Sequence, residues 1–250
     1  MITVKDIFDY LNMLYPVDTA CDFDNVGILA GDSKSAVTGA VVALDCDAGT
    51  VAFAKEKGAN LIITHHPVIF SDGLKTVTEN DVVYKLITGG ISVISMHTNL
   101  DVGVGGINDE LCRLIELKNI KPYLAADGYL LKCGKTDISD ADRFAAFLKS
   151  KLGCAIRYVA GKTPIRSVLV CSGSGGGYIE EAIKGGFDAL VTADVKQHQF
   201  ITAINAGISL FDGGHYNTEN IIVAPLCATL RAKYGDLPFF EFYNEKIKTV

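Results

Sequence analysis

The chain has 250 residues, of which 49% are hydrophobic and 21% are charged, and its formal net charge is −6. These values are ordinary for a globular protein and fit one large domain or two modest ones. The negative charge argues against non-specific nucleic-acid binding, which needs Lys and Arg to neutralise phosphates, and no apolar run reaches the roughly 18–20 residues of a membrane span.

The first half of the chain is predicted to alternate between helices and strands. Apolar residues recur at helical spacing over 3–15, and Pro16 ends this pattern, so an amphipathic helix is predicted there. A loop over 23–27 follows. The predicted strands lie near 26–30, 40–45, 60–64 and 91–96, and the predicted helices near 48–57, 80–88 and 106–116.

The second half is predicted to begin after a connector over about 118–135, where Pro122, Gly128 and Gly134 interrupt any regular pattern. Strands and helices then alternate again, which predicts an α/β fold of mixed sheets with some parallel pairing. The predicted helices lie near 139–152, 177–184, 196–205 and 217–232; the predicted strands lie near 154–159, 166–171, 188–192 and 207–211, with an edge strand over 238–243.

The order of these features is repeated along the chain. In each half an apolar strand and a helix lead to a Gly-x-(Asn/Asp)-apolar-apolar-apolar-Thr segment, at 58–64 and again at 186–192. A later strand opens with Gly-Ile-Ser at 90–92 and 207–209. We interpret this as an internal duplication that gives two α/β repeats, 1–125 and 126–250. We expect the repeats to be intertwined, with the C-terminal segment able to pack on the first.

Each repeat carries the same chemical motif, His-x-Asn-x-acid, after its Gly-Ile-Ser strand. The two copies run from His97 to Asp101 and from His215 to Glu219. A histidine four residues before a carboxylate lies on the same face of a helix that starts there. Imidazole and carboxylate are both good ligands for Zn, Fe or Mn. Two such pairs on one chain predict a single composite metal centre.

Two further histidines, His65 and His66, follow the predicted strand over 60–64, and Pro67 marks its end. Adjacent residues of an extended chain point to opposite sides, so these two histidines fit two metal ions better than one. Two solvent-exposed histidines capping a strand are the alternative. We favour metal ligation because all five histidines of the chain, including His198, lie near predicted strand ends.

The two motif carboxylates, Asp101 and Glu219, supply the negative charge that divalent ions require. One of them is expected to bridge two ions, which lie roughly 3.5–4 Å apart in two-metal sites. Glu219 is the better candidate because its side chain is longer. No cysteine joins this set, and the seven scattered cysteines, without a Cys-x-x-Cys pair, favour buried thiols in a reducing cytosol.

A glycine-rich stretch, Ser172-Gly173-Ser174-Gly175-Gly176-Gly177, lies between a predicted strand and a predicted helix. It could be a tight turn without a ligand, or its backbone N–H groups could cradle a phosphate. It does not match Gly-x-Gly-x-x-Gly, because Tyr178 occupies the last position, and it lacks the lysine of a P-loop. Both interpretations stay open.

Four segments together resemble the NIF-three-like family, whose members carry the name GTP cyclohydrolase 1 type 2 homolog. The resemblance covers nearly the whole chain, and the segments occur in the family's order. They are Phe-Asp-Asn-Val-Gly at 23–27, Ile-Thr-His-His-Pro-Val-Ile-Phe at 63–70, His-Thr-Asn-Leu-Asp at 97–101 and Gly-His-Tyr-Asn-Thr-Glu at 214–219.

The resemblance implies a cytosolic protein of two intertwined α/β repeats, assembled as a toroidal homohexamer whose metal sites face the inner cavity. It implies two divalent ions per subunit, of which Zn, Fe, Mn, Ni and Co are all compatible with a His and carboxylate set. By resemblance, His66 and Asp101 hold one ion, and His65 and His215 hold the other. Glu219 bridges both ions. His97 is implied to be an acid/base group or to lie beside the metal ligands.

The chain departs from the family pattern at two places. Phe23 stands where many relatives have Trp, which keeps an aromatic side chain. Over 192–199 relatives tend to have Thr-Gly-Glu followed by a pair of histidines, whereas this chain has only His198. The predicted metal ligands are intact, but an activity that depends on the second histidine of this pair would be affected.

Two functions follow from these expectations. The first is a metal-dependent hydrolase that acts on a nucleotide-like or phosphorylated small molecule, with His97 or His198 moving a proton. The second is a non-catalytic role in metal storage, delivery or sensing, or as a regulatory interaction partner. Histidines beyond those needed for ligation favour the enzyme, whereas the missing family histidine near His198 favours the second role.

Overall fold

The computed structural model describes residues 1–70 and 74–247, and its fold is mixed α/β with two mixed sheets. Two compact units divide these residues. The first unit comprises Met1–Val104 with Ile222–Lys246, and the second comprises Gly105–Ile221 with Ile247. Among the described residues, no helix combines the length and apolar character needed to cross a membrane.

Eleven strands and ten α-helices make up the described structure. The strands are β1 (Gly27–Ala30), β2 (Ala40–Ala43), β3 (Leu61–Thr64), β4 (Ser92–Ser95), β5 (Lys118–Leu124), β6 (Leu130–Lys135), β7 (Arg157–Val159), β8 (Ser167–Val170), β9 (Ala189–Thr192), β10 (Ser209–Asp212) and β11 (Phe239–Phe242). The helices are α1 (Val4–Leu14), α2 (Ala48–Glu56), α3 (Val82–Thr88), α4 (Thr98–Val102), α5 (Ile107–Leu114), α6 (Ala141–Leu152), α7 (Ile179–Lys184), α8 (Gln197–Ala206), α9 (His215–Glu219) and α10 (Val223–Lys233).

The first unit is built on a five-stranded sheet in the order β1-β4-β3-β2-β11. Strands β2, β3, β4 and β11 are parallel, and β1 is antiparallel to β4. Every residue of β2, β3 and β4 is buried. This burial explains why these strands read as unbroken apolar runs, since both faces of a parallel sheet are covered.

The second unit is built on a six-stranded sheet in the order β5-β6-β8-β9-β10-β7. Strands β8, β9 and β10 are parallel, whereas β6 and β7 are antiparallel to their neighbours β8 and β10. The two faces of β8 serve different cores. Val168 and Val170 pack in one cluster with Phe144 and Phe211, and Leu169 packs in the other.

The strand topology of the first unit recurs in the second. In each unit three consecutive strands run parallel, and the strand that precedes them in sequence lies antiparallel beside the last of them. The order β1-β4-β3-β2 therefore corresponds to β7-β10-β9-β8. The units differ at the opposite edge, where β11 is parallel to β2 but β6 is antiparallel to β8.

The predicted connector over 118–135 is wrong, because β5 and β6 form an antiparallel hairpin there. Pro122 is tolerated because β5 is an edge strand, which leaves positions whose N–H needs no partner in the sheet. Gly128 adopts a φ of +88° in the turn between the strands. The single helix predicted over 217–232 is also wrong, since a short 3-10 segment, Asn220–Ile222, separates α9 from α10.

Candidate metal-binding residues

In the first unit three histidines meet where two neighbouring parallel strands end. Thr64 of β3 pairs with Ser95 of β4, so the residues that follow both strands emerge at the same edge of the sheet. His65 and His66 follow β3, and His97 follows β4. One ring nitrogen from each of the three histidines lies within 4.8 Å of those of the other two.

The rings of His65 and His66 lie close together, with centroids 4.8 Å apart. The expectation that they point to opposite sides is therefore wrong. The strand ends at Thr64, and both histidines lie in the bend that follows, where the alternation of an extended chain no longer applies. The His97 ring lies 4.9 Å from that of His65 and 5.6 Å from that of His66.

Each of these three rings has its Nδ1 atom beside an oxygen that can only accept a hydrogen bond. His65 Nδ1 lies 3.0 Å from the Met96 carbonyl oxygen, and His66 Nδ1 lies 2.7 Å from Asp45 Oδ1. His97 Nδ1 lies 2.8 Å from Asp24 Oδ1. In the neutral rings Nδ1 therefore carries the proton, and Nε2 carries the lone pair that a metal ion binds.

The carboxylate of the first motif lies beside the same group. His97 occupies the position before α4, and Asp101 lies one turn later in that helix. Asp101 is buried, and its Oδ1 atom lies 3.8 Å from Nε2 of His65. The first unit therefore combines three imidazoles and one carboxylate at the end of β3 and β4.

The second unit holds the other motif on α9. His215 and Glu219 occupy the first and last positions of this helix, and His215 Nε2 lies 3.0 Å from Glu219 Oε2. Asp194, which follows β9, accepts a hydrogen bond from His215 Nδ1 at 2.7 Å. The arrangement of this histidine is thus the same as that of the three in the first unit, with Nδ1 held by an oxygen acceptor.

Sequence reasoning assigned no role to the three carboxylates that hold Nδ1. Asp24, Asp45 and Asp194 lie 73, 21 and 21 residues from the histidines they contact. Only Asp24 could have been singled out from the sequence, because it lies within the Phe-Asp-Asn-Val-Gly segment on which the family resemblance depends. The remaining predicted histidine, His198, is exposed near the start of α8 and belongs to none of the possible metal-binding groups among the described residues.

The glycine-rich stretch contacts the Glu219 carboxylate. Gly173 adopts a φ of +58°, and a Cβ atom at this position would overlap Glu219 Oε1 and lie 3.3 Å from His215 Nε2. The N–H of Ser172 donates to Asn108 Oδ1 and that of Gly173 donates to Thr218 Oγ1. The first two N–H groups of the stretch are therefore used within the protein, which favours the tight turn over a phosphate cradle.

Glu219 also controls the protonation of its neighbour. Its hydrogen bond and negative charge raise the pKa of His215 to about 9, against the opposing effect of burial. Without a metal ion, His215 is therefore positively charged at neutral pH and forms an ion pair with Glu219.

This raised pKa predicts that protons compete with metal ions for His215. Binding at Nε2 requires loss of its proton, so zinc affinity should rise about tenfold per pH unit between pH 7 and pH 9 and level off above. Calorimetric zinc titrations in buffers of different ionisation enthalpy would measure the proton released. The same titration of His215→Gln is the control and should lose this release. Equal proton release from both proteins would contradict the prediction.

The family model described as Duf34/NIF3 (NGG1p interacting factor 3) matches residues 2–246. The chain belongs to this family. This Duf34/NIF3 chain is 33% identical to a Clostridium acetobutylicum protein named GTP cyclohydrolase 1 type 2 homolog. The match extends over 232 residues and covers 87% of this chain and 85% of the relative. A Clostridium perfringens protein of the same name is 30% identical, with 86% of each chain covered.

Solved structures agree with the family assignment. The crystal structure of a Staphylococcus aureus hypothetical protein superposes with a TM-score of 0.90 at 29% identity and covers 99% of each chain. The resemblance to the NIF-three-like family is therefore confirmed over the whole chain, as is the mixed α/β fold.

Proposed function

We propose that this Duf34/NIF3 chain binds divalent metal ions through a ligand set in each unit and uses them to hydrolyse a small molecule. The set in the first unit is His65, His66 and Asp101, and the set in the second unit is His215 and Glu219. One observation carries the proposal. Every histidine of these sets has Nδ1 engaged by an oxygen acceptor, which directs Nε2 to act as the ligand atom.

The donor atoms suit metal ions of intermediate hardness. Imidazole nitrogens and carboxylate oxygens, without thiolate, accept Zn, Fe, Mn, Ni or Co. When bound, such an ion supplies Lewis acidity and lowers the pKa of water from 15.7 to about 7. Two ions per subunit and a bridging role for Glu219 are part of the proposal and rest on the sequence motifs.

His97 is proposed to move the proton in this reaction. Its Nε2 atom carries the lone pair because Asp24 accepts the hydrogen bond of Nδ1. A neutral imidazole with this tautomer can accept a proton at Nε2, and general base catalysis of this kind contributes about 10²–10⁴-fold to a rate. The Phe70 ring packs edge-on against His97, with centroids 5.9 Å apart.

The names of the relatives suggest a substrate class to test first. Both Clostridium relatives are called GTP cyclohydrolase 1 type 2 homolog, and we propose a nucleotide-like or phosphorylated small molecule as the substrate. None of the residues described above selects guanine, so GTP belongs in a panel with other nucleotides and simple phosphoesters.

Turnover of this panel by protein loaded with zinc, manganese or iron tests the proposed function. His97→Gln should lower kcat about 10²-fold or more while metal content stays that of the native chain. His198→Gln, at an exposed position on α8, serves as a matched histidine control. If fully loaded native protein turns over no member of the panel, metal storage, delivery or a regulatory interaction becomes the better assignment.

We also propose that the chain assembles as a toroidal homohexamer in the cytoplasm. Ile183 on α7 and Ile201 and Ile204 on α8 are exposed in the second unit, and exposed apolar side chains of this kind are typical of subunit interfaces. Light scattering of the purified protein should give six times the 26.7 kDa of one chain. Charged substitutions at Ile201 and Ile204 should reduce this mass.

A further inference from the structure

The loop before β1 places one carboxylate beside Nδ1 of His97. Phe23 of this loop is 65% exposed, whereas the side chain of the next residue, Asp24, is only 1% exposed. The loop is tied down on both sides of Asp24. The N–H of Cys21 donates to Thr98 Oγ1 at 2.9 Å, and Asn25 Nδ2 donates to the Ile69 carbonyl at 2.6 Å.

The two oxygens of Asp24 have separate partners. Oδ2 accepts two hydrogen bonds from Thr98, one from its N–H at 3.0 Å and one from its hydroxyl at 2.5 Å. The hydroxyl donates its proton here and accepts the N–H of Cys21 with a lone pair. Oδ1 lies 2.8 Å from Nδ1 of His97.

Asp24 is ionised, and this decides which nitrogen of His97 carries the proton. Burial acts to raise the pKa of Asp24, but the hydrogen bonds from His97 and Thr98 outweigh it and hold the pKa well below its ordinary value. A carboxylate can only accept hydrogen bonds, so Nδ1 of His97 must donate.

We infer that Asp24 is a positioning residue that fixes the tautomer of His97, so that the Nε2 lone pair is presented beside His65 and His66. This inference rests on the proposed function, because a lone pair at Nε2 serves proton transfer or metal ligation. It assigns a role to the Asp24 of the Phe-Asp-Asn-Val-Gly segment that goes beyond holding a loop.

The isosteric substitution Asp24→Asn should invert this tautomer. The two donors of Thr98 require an oxygen at the Oδ2 position, so the amide nitrogen of Asn must occupy the Oδ1 position. This nitrogen donates to Nδ1 of His97, which then has to accept. The ring proton consequently moves to Nε2, and the lone pair is lost from the side that faces His65 and His66.

Thr98→Val provides the matched control. It removes the hydroxyl that donates to Oδ2 and so weakens the hold on the loop, but it leaves Oδ1 as an acceptor for Nδ1 of His97. If the role of Asp24 is purely structural, Asp24→Asn and Thr98→Val should affect the tautomer of His97 in the same way. If Asp24 sets the tautomer of His97, only Asp24→Asn should change that tautomer.

The test is a long-range ¹H–¹⁵N correlation spectrum of metal-free protein labelled with ¹⁵N-histidine, in which His97 is assigned from His97→Gln. The native chain and Thr98→Val should carry the proton on Nδ1, and Asp24→Asn should carry it on Nε2. Metal-loaded Asp24→Asn should lose about 10²-fold or more in kcat, because the base at Nε2 of His97 is lost, while its metal content stays that of the native chain.

The spectrum separates this inference from the proposed function, because it needs neither metal nor turnover. A native His97 protonated on Nε2 would overturn the inference even if Asp24→Asn failed to fold. An unchanged tautomer in folded Asp24→Asn would overturn it as well. Absence of hydrolysis with the expected tautomers would instead reject only the hydrolase.

Discussion

Glu219→Gln is expected to lower zinc affinity more than about 100-fold, since losing only a residue that orients a metal ligand costs 10–100-fold. Glu219 is buried on α9 beside His215 and supplies the negative charge that a divalent ion needs there. Gln keeps the shape but removes the charge. Zinc titration and elemental analysis of protein purified without chelator would measure the loss, reported per subunit.

A second consequence of Glu219→Gln appears without metal. The hydrogen bond and charge of Glu219 raise the pKa of His215 to about 9, so the substitution should return this pKa towards the ordinary 6.5. Glu180→Gln, at an exposed position on α7 of the same unit, is the matched control. It should change neither the zinc affinity nor the pKa of His215. Native zinc content and an unchanged His215 titration in Glu219→Gln would show that Glu219 is not a ligand.

The parts of this site that were predictable share a local signature. His97 and Asp101, like His215 and Glu219, are four residues apart and follow apolar runs, so sequence spacing alone places the two members of each pair one helical turn apart. His65 and His66 follow another apolar run. Because consecutive parallel strands end at the same edge of a sheet, strand order then brings His66 and His97 together.

The parts that were missed depend on contacts between distant residues. Asp24 lies 73 residues from His97, and nothing in the local pattern around either residue indicates the pairing. The β5–β6 hairpin was missed because β5 is an exposed edge strand. An exposed strand lacks the apolar alternation by which strands are recognised, and Pro122 reads as a break unless the strand is known to lie at an edge.

The repeated strand order allows equivalent positions of the two units to be compared. Superposing the strand orders aligns Thr64-His65-His66 after β3 with Thr192-Ala193-Asp194 after β9. Where the first unit has the candidate ligand His66, the second has Asp194, which holds Nδ1 of His215 instead. In the first unit Asp24, from the loop before β1, holds the corresponding His97. The same strand end therefore contributes a proposed ligand in one unit and an orienting carboxylate in the other.

Gly173→Ala is expected to lower zinc affinity about 10–100-fold, because it displaces Glu219 without changing the identity of any proposed ligand. A Cβ atom at Gly173 would overlap Glu219 Oε1, and Thr218, the neighbour of Glu219, is tied to the Gly173 N–H. The carboxylate would have to leave its position beside His215. Its departure should also lower the raised pKa of His215, which a histidine titration of the metal-free protein would detect.

Two glycines of the second unit provide controls that separate this steric effect from backbone strain. Gly186 has a φ of +69°, close to the +58° of Gly173, but a Cβ atom there would meet nothing within 4 Å. Gly177 lies in the same stretch as Gly173, and a Cβ atom there would also meet nothing within 4 Å. Gly173→Ala and Gly186→Ala should each lose about 1–2 kcal/mol of stability from the left-handed conformation, whereas only Gly173→Ala should lose zinc affinity. Equal zinc affinities in these two variants would mean that Gly173 does not position the carboxylate, and the glycine-rich stretch would need another explanation.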